Sequence, residues 1–208
     1  MKIGIMLGAT PGDDGSLDAL IRSARDFEDA GFHSLWLAQI FGLDAITCAA
    51  LIGRETRRIE IGTAVVPSPP RHATALAQQA LTAGAAAGGR FTLGIGLSHR
   101  IVIENMLGLS YDRPARQMRE YLEVLTPLLR GEPAQVQGDF YRVGIGLQVP
   151  GRQPVPLLVA ALGPVMLGTS STARPRATST SDGAGRCIPG IFTNPPSGIA
   201  PIPYSIPL

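Results

Sequence analysis

The sequence predicts an α/β fold built on a parallel sheet, and three observations carry that prediction. Short apolar runs and helix-period stretches alternate four times in the first 95 residues. Each helix-period stretch opens on a capping residue or closes on glycine. The connections are too long for hairpins and of the right length for strand–helix–strand crossovers, which make neighbouring strands parallel. The pattern by itself leaves two arrangements open, a (β/α) barrel and a doubly wound sheet.

Ile3 to Leu7 is the first strand, followed by a turn-rich stretch from Gly8 to Gly15. Leu17, Leu20, Ile21, Ala24 and Phe27 then recur at helical spacing. Ser16 is the expected N-cap of that helix, and Gly31 the glycine that ends it. The second strand is Ser34 to Ala38, around Trp36, and a second helix runs from Asp44, a good N-cap, to Glu55. The third strand lies in Arg58 to Pro70: Ile59, Ile61, Val65 and Val66 are apolar, Gly62, Thr63 and Ala64 interrupt them, and Pro67, Pro69 and Pro70 stop the run. A glycine within an apolar strand marks either a bulge beside a ligand or the close packing of a neighbour. Both readings stand at this point.

Helix three covers Ala73 to Ala87 and stops at Gly88-Gly89, and strand four is Phe91 to Ile95. Gly94-Ile-Gly96 lacks the third glycine of a dinucleotide fingerprint. A short apolar helix is expected to about Leu107 and a longer one from about Arg113 to Leu129, ended by Gly131. Residues 135 to 143 alternate around Gly138-Asp139 and are expected to form an antiparallel hairpin inserted before strand five, Pro156 to Ala161. Gly163-Pro164 opens a further helix. From Gly168 to Leu208 no period survives, and Ser, Thr, Pro and Gly make up more than half of the residues. That composition predicts a disordered tail. The expected division is therefore 1–167, a folded domain, and 168–208, an irregular tail.

Composition limits the function. The chain of 208 residues is long enough for one sizeable core, and its formal net charge of +2 is too small to imply nucleic acid or an anionic membrane surface. Basic residues are scattered, with Lys2 the one lysine. Cys48 and Cys187 have no metal or disulfide spacing, and Cys48 sits in an apolar helical pattern as inert core. No stretch has the length and apolarity of a membrane span or signal peptide, so a cytoplasmic soluble protein without a metal site is the expectation.

Several stretches, each weak alone, are specific in their order and spacing. They are Lys2-Ile-Gly-Ile-Met-Leu-Gly8, Gly31-Phe-His-Ser-Leu-Trp36, Ile59-Glu-Ile-Gly-Thr-Ala-Val-Val66, Gly89-Arg-Phe-Thr-Leu-Gly-Ile-Gly-Leu97, Arg113-Pro, Arg119-Glu-Tyr-Leu, Leu129-Arg-Gly131, Gly138-Asp-Phe-Tyr141 and Pro156-Leu-Leu-Val-Ala-Ala-Leu-Gly-Pro164. On these, residues 1–167 resemble the bacterial-luciferase-like flavin and deazaflavin enzymes, which are TIM barrels. Within them the chain is most similar to the coenzyme F420-dependent oxidoreductases of actinobacteria. The resemblance implies an incomplete TIM barrel with about five of its eight strands. It implies hydride transfer between F420 and an organic substrate, the alternative being an FMN-dependent monooxygenase of the same fold.

The resemblance also implies a site. Gly62, Thr63, Ala64 and Val65 match a segment that often carries a non-prolyl cis peptide bulged against the deazaflavin. Gly96, Leu97, Ser98 and His99 match the mouth of strand four, and the amides around Gly163, Pro164 and Val165 match a phosphate-binding turn. Gln39 and Ile40 replace the Asp-His that F420-dependent sugar-phosphate dehydrogenases carry after strand two, and His99 stands where those enzymes have a catalytic Glu. A sugar phosphate is thereby disfavoured, and His99 is the acid/base candidate, with a loop or phosphate-neutralising role as its alternative. His72 is a weaker candidate near the mouth. His33 lies at the other end of the barrel.

Five strands do not close a barrel of eight. The composition change near Gly168 is what a shifted reading frame would give, so a shortened, inactive piece of a longer enzyme is one expectation, and a genuine short form with a disordered tail is the other. Either way the first and fifth strands offer open edges, a route to a homodimer or to aggregation. Ile3, Ile5, Leu157 and Val159 are expected among the residues pointing into the barrel.

Overall fold

The computed structural model describes residues 2–7 and 16–160. The chain divides into two units, Met1–Arg174 and Pro175–Leu208, and the described residues lie in the first. The expected disordered tail and the turn at Gly163–Val165 lie outside the described residues.

Five parallel positions make the sheet. They are β1 (Gly4–Leu7), β2 (Ser34–Leu37), β3 (Glu60–Thr63) with its continuation β4 (Val66–Pro67), β5 (Phe91–Gly96) and, after a separate antiparallel hairpin of β6 (Ala134–Gln137) and β7 (Arg142–Ile145), β8 (Leu157–Val159). In space they run β1, β2, β3/β4, β5, β8, every pair parallel. The helices α1 (Leu17–Asp29), α2 (Ala45–Glu55), α3 (Ala73–Ala86) and α4 (Pro114–Arg130) connect them. This is the sequential order of a (β/α) barrel, not the reversing order of a doubly wound sheet.

The helix ends follow from local chemistry. Ser16 Oγ accepts the Ala19 amide at 3.1 Å at the start of α1. At its end Gly31 takes φ +84°, its amide reaches Glu28 O, and the Phe32 amide reaches Phe27 O at 3.0 Å. The Phe27 and Phe32 rings then meet edge-on at 5.6 Å, which completes a Schellman ending. Asp44 caps α2 through the Thr47 amide at 2.9 Å. Gly131, at φ +82°, ends α4. No described helix is long and apolar enough to cross a membrane.

The core lies between the sheet and the helices. Leu35, Leu37, Ile61, Phe91, Leu93 and Ile95 project to that side and are buried against Ile52, Leu76, Leu81, Leu125 and Leu128. Alanines along α3 let α2 approach so closely that a side chain on Gly53 would collide with Ala87. Burial also pushes the Cys48 thiol up, to about 11, with Asp44 adding to the shift; Cys48 is inert core as expected.

The strand orientation corrects one expectation. Ile5, Leu157 and Val159 pack against the helix-side core, and Ile3 is half exposed. The alternate residues form the inner face: Gly4 and Met6, Ser34 and Trp36, Gly62, Thr92, Gly94 and Gly96, and Leu158, by the parallel register. Most of these residues are small or polar, which suits the crowded, curved inner side, and Met6, Trp36 and Leu158 are the large apolar residues among them.

A buried carboxylate ties the hairpin to α4, and Asp139 in the hairpin turn adds pairs with Arg113 and Arg116. Glu120 on α4 is buried, and its Oε2 accepts the amides of Phe140 at 2.7 Å and Tyr141 at 3.3 Å. A side chain on Gly138 would strike that same carboxylate. Burial works against its charge, but the Phe140, Asp139 and Tyr141 amides and Arg116 outweigh it and hold the carboxyl below the ordinary range.

Candidate functional site

In a parallel sheet every strand ends at the same edge, and in (β/α) folds that edge carries the chemistry. Here it carries the departures from regular structure. Ile61 and Gly62 pair with Phe91 and Thr92, but Val66 pairs with Ile95. Three residues, Thr63, Ala64 and Val65, therefore face two, Leu93 and Gly94, which is a bulge of one residue. The Ala64–Val65 peptide within it is cis. The interruption that divides the expected third strand is thus a bulge, and the run that the sequence presents as one strand is two short ones.

The bulge is held from both sides. The Ala64 amide donates to Leu37 O at 2.8 Å. The buried Thr63 hydroxyl donates to Gly94 O at 2.9 Å and accepts the Gly94 amide at 2.8 Å, replacing the ladder bonds that the bulge removes. Ser68 closes the far side, where its amide and hydroxyl both donate to Gly96 O.

Glycine is required at three points of this wall. A Cβ on Gly94 would lie 2.0 Å from Thr63 O, and one on Gly96 would lie 2.9 Å from Val65 Cγ2. A Cβ on Gly62 would enter the Trp36 ring at 2.3 Å. So both readings of Gly62 hold together: the strand bulges, and the glycine also makes room for a neighbouring ring. Val65 packs against Gly96 and borders Gly94, and the Trp36 ring packs on Gly62, so these two side chains form a wall over the glycines.

After β5 the chain turns sharply. Ser98 sits in the left-handed region at φ +63°, and its carbonyl accepts the Tyr111 hydroxyl at 3.2 Å. His99 O accepts the amides of Val102 and Ile103 and so starts a helical turn, which runs as a π-helix over Val102–Met106 in place of the expected apolar α-helix. The His99 ring is exposed, and among the described residues it makes no side-chain hydrogen bond. Arg100 pairs with Glu104 at 2.9 Å and lies over the Tyr111 ring.

The other candidates separate. Gln39 stands at the same edge, but its Oε1 accepts the Ala45 amide at 3.2 Å, so it helps to cap α2. Asp44, the N-cap, pairs with Arg71 at 2.5 Å, which ties the connection after β2 to the one after β4. Burial opposes the Asp44 charge, while the Thr47 donors and Arg71 pull its carboxyl below the ordinary range. His72 caps α3 with its own ring, Nδ1 accepting the Thr74 amide, and packs on Tyr141. His33 pairs with Glu60 at 3.5 Å at the amino end, as its position implied. Gly62, Thr63, Ala64, Val65, Gly96, Leu97, Ser98 and His99 are brought to one edge. Gly163, Pro164 and Val165 lie outside the described residues.

Tyr111 was missed, since a tyrosine between Ser110 and Asp112 gives no signal of a bond to a carbonyl thirteen residues earlier. Thr63 had a signal, a hydroxyl inside an otherwise apolar strand.

Residues 1–171 match the profile of the luciferase-like monooxygenases. A Mycobacterium tuberculosis protein provisionally named a coenzyme F420-dependent oxidoreductase, Rv3520c, is 33% identical over 178 residues, covering 79% of this chain and 51% of its own. The 4-hydroxyprotoasukamycin monooxygenase of Streptomyces nodosus subsp. asukaensis is 31% identical, covering 66% of this chain and 38% of its own. The coenzyme F420-dependent tetrahydromethanopterin reductase of Methanopyrus kandleri shares the fold, with a TM-score of 0.68 at 23% identity, over 81% of this chain and 52% of that one. The chain spans about half the length of the curated relatives it matches.

Proposed function

The chain belongs to the luciferase-like monooxygenase family, and from that premise we propose that it carries the deazaflavin-facing part of an F420-dependent oxidoreductase acting on a small organic substrate. The observation that supports this most is the wall of Val65 over Gly94 and Gly96 with Trp36 beside it. The glycines let Val65 and Trp36 lie close against the strands, and these two half-buried side chains offer apolar surface for a planar ring system. The residues present therefore fit such a ring.

A bound deazaflavin supplies two-electron hydride transfer. The chain's own residues do the rest. Thr63 holds the bulge against β5, so the position of Val65 is set by buried hydrogen bonds. Tyr111 and the turn starting at His99 O hold the His99 segment at the mouth. The exposed His99 imidazole, which makes no side-chain hydrogen bond among the described residues, would hold or release a proton at the substrate oxygen. Gly163 to Val165 are assigned to the coenzyme phosphate by resemblance alone.

The name of the M. tuberculosis relative supports F420, and that of the S. nodosus relative supports a monooxygenase. The test uses Trp36, the one tryptophan of the chain, as its reporter. F420 and FMN are titrated separately into the full chain while Trp36 emission is recorded. Saturable quenching by F420 at concentrations where FMN has no effect is expected. The reverse order of affinity would assign the FMN reading, and quenching by neither would remove both.

A further inference from the structure

Trp36 is half-buried on the inner face of the sheet, and both ends of its ring are fixed. At the pyrrole end the indole N–H donates to Ser34 Oγ at 3.1 Å. At the benzene end the ring packs on Gly62 so closely that a Cβ there would lie 2.3 Å from Cζ3 and 2.4 Å from Cε3. Ser34 and Trp36 share one face of β2 because residues two apart on a strand point the same way. In the parallel register Gly62 on β3 is the partner of Trp36, and Gly4 on β1 is the partner of Ser34.

Gly4 makes room for the serine hydroxyl. A Cβ on Gly4 would lie 2.5 Å from Ser34 Oγ and 3.4 Å from Trp36 Nε1. Ser34 is itself buried, where a hydrogen bond is electrostatically stronger than in water. A buried indole N–H usually finds some partner. Here the partner also chooses between two ring orientations. Turned over, the ring would set its N–H toward Gly62, which has no side chain to accept it. Its benzene end would then meet Ser34 and leave a buried hydroxyl facing carbon, which is costly.

We infer that Ser34 is a positioning residue of the coenzyme site: its hydroxyl, in the space that Gly4 leaves, sets the Trp36 ring across Gly62 and occupies the indole N–H. The ring then meets a bound ring system with carbon surface and no donor. Ser34 acts through Trp36 and not on the ligand. This rests on the oxidoreductase reading of the wall and adds the group that orients one half of it.

The experiment compares the full chain with its Ser34→Ala, Gly4→Ala and Ser34→Thr variants. Trp36 is the one tryptophan of the chain, so the tryptophan band of the near-ultraviolet circular dichroism reports how firmly that ring is held. Ser34→Ala deletes the acceptor. Gly4→Ala keeps it but drives the hydroxyl into another rotamer. Both are expected to lose most of the band, with far-ultraviolet circular dichroism unchanged, and to weaken F420 about fivefold in titration, the size of one net hydrogen bond. Ser34→Thr keeps the hydroxyl and is expected to keep the band and the affinity. Thr82→Ala also deletes a hydroxyl hydrogen bond, to Gln78 O on the exposed face of α3, and should change neither.

An unchanged band in Ser34→Ala would overturn the inference, since the ring would be held without the hydroxyl. A lost band with F420 affinity unaltered would overturn it too, as would equal losses in Ser34→Thr and Ser34→Ala. Failure of F420 to bind the unaltered chain would strike the oxidoreductase reading instead. The circular dichroism of the free variants reads the ring without coenzyme, so the two failures are distinct.

Discussion

The two ends of the sheet are built on opposite plans. At the amino end, charged side chains satisfy backbone groups. Glu28 accepts the amides of Arg57, Arg58 and Ile59, which locks the end of α1 to the start of β3. Arg90, just before β5, donates to the carbonyls of Gly53, Thr56 and Ile59 and to the Thr56 hydroxyl. One guanidinium thus ties the end of α2 to two strands. At the carboxyl end, backbone groups, small hydroxyls and the Asp44–Arg71 pair do the holding, a bulge and a left-handed serine replace regular structure, and several apolar side chains of the connections stay exposed. The amino end is organised for stability, and the proposed function assigns the carboxyl end to a ligand, the division of labour that (β/α) architectures show in general.

The strongest challenge to that division is Gly94→Ala. Its Cβ would sit 2.0 Å from the backbone oxygen of Thr63, which no rotamer change relieves. A loss of roughly 3 kcal/mol is expected in denaturant unfolding, together with loss of F420 binding, because the wall and the sheet share that contact. Arg90→Ala should cost about 2–3 kcal/mol by leaving buried carbonyls without a donor. Coenzyme titration of the folded variant should be unchanged. If the Arg90 variant lost binding in proportion to stability, the two ends would not be separable.

A smaller effect sharpens the amino end. Burial opposes the Glu28 charge, but the Ile59, Arg58 and Arg57 amides outweigh it, and its carboxyl lies below the ordinary glutamate value. A folded-state pKa below the unfolded one gives stability that is complete above the unfolded value and is lost as pH falls through the folded one. Glu28→Gln should cost about 1 kcal/mol at neutral pH, and the deficit should shrink in acid unfolding below the ordinary glutamate range. A deficit unchanged by acid would mean that the carboxylate charge is not what holds β3. The smallest stability change is expected for His99→Ala, within about 0.5 kcal/mol, since the ring is exposed and unbonded. Quenching of Trp36 by F420 should persist in that variant.

Much of this was legible in the sequence, and the gaps have physical causes. Ser16, Asp44, Gly31 and Gly131 announce helix ends because capping is chemistry between near neighbours. The alternation of elements set the parallel sheet, and the hairpin followed from its turn residues. The resemblance placed the bulge at 62–65, and a cis peptide is found at Ala64–Val65. Orientation was harder. Ile5, Leu157 and Val159 were placed inward because both faces of a barrel strand are covered, so apolarity alone does not pick a face. The informative residues were the small ones, Gly4, Ser34, Gly62, Gly94 and Gly96, which mark the inner face. Arg90 and Tyr111 were invisible because each acts on partners fixed by the fold, between 13 and 37 residues away.

Amide hydrogen exchange of the full chain with and without F420 tests the division between the two ends directly. Slowed exchange confined to peptides covering 62–66 and 96–103, with 57–60 and 134–145 unaffected, is the result expected if the bulged edge is the ligand face. Protection centred on 57–60, or spread evenly over the sheet, would contradict it.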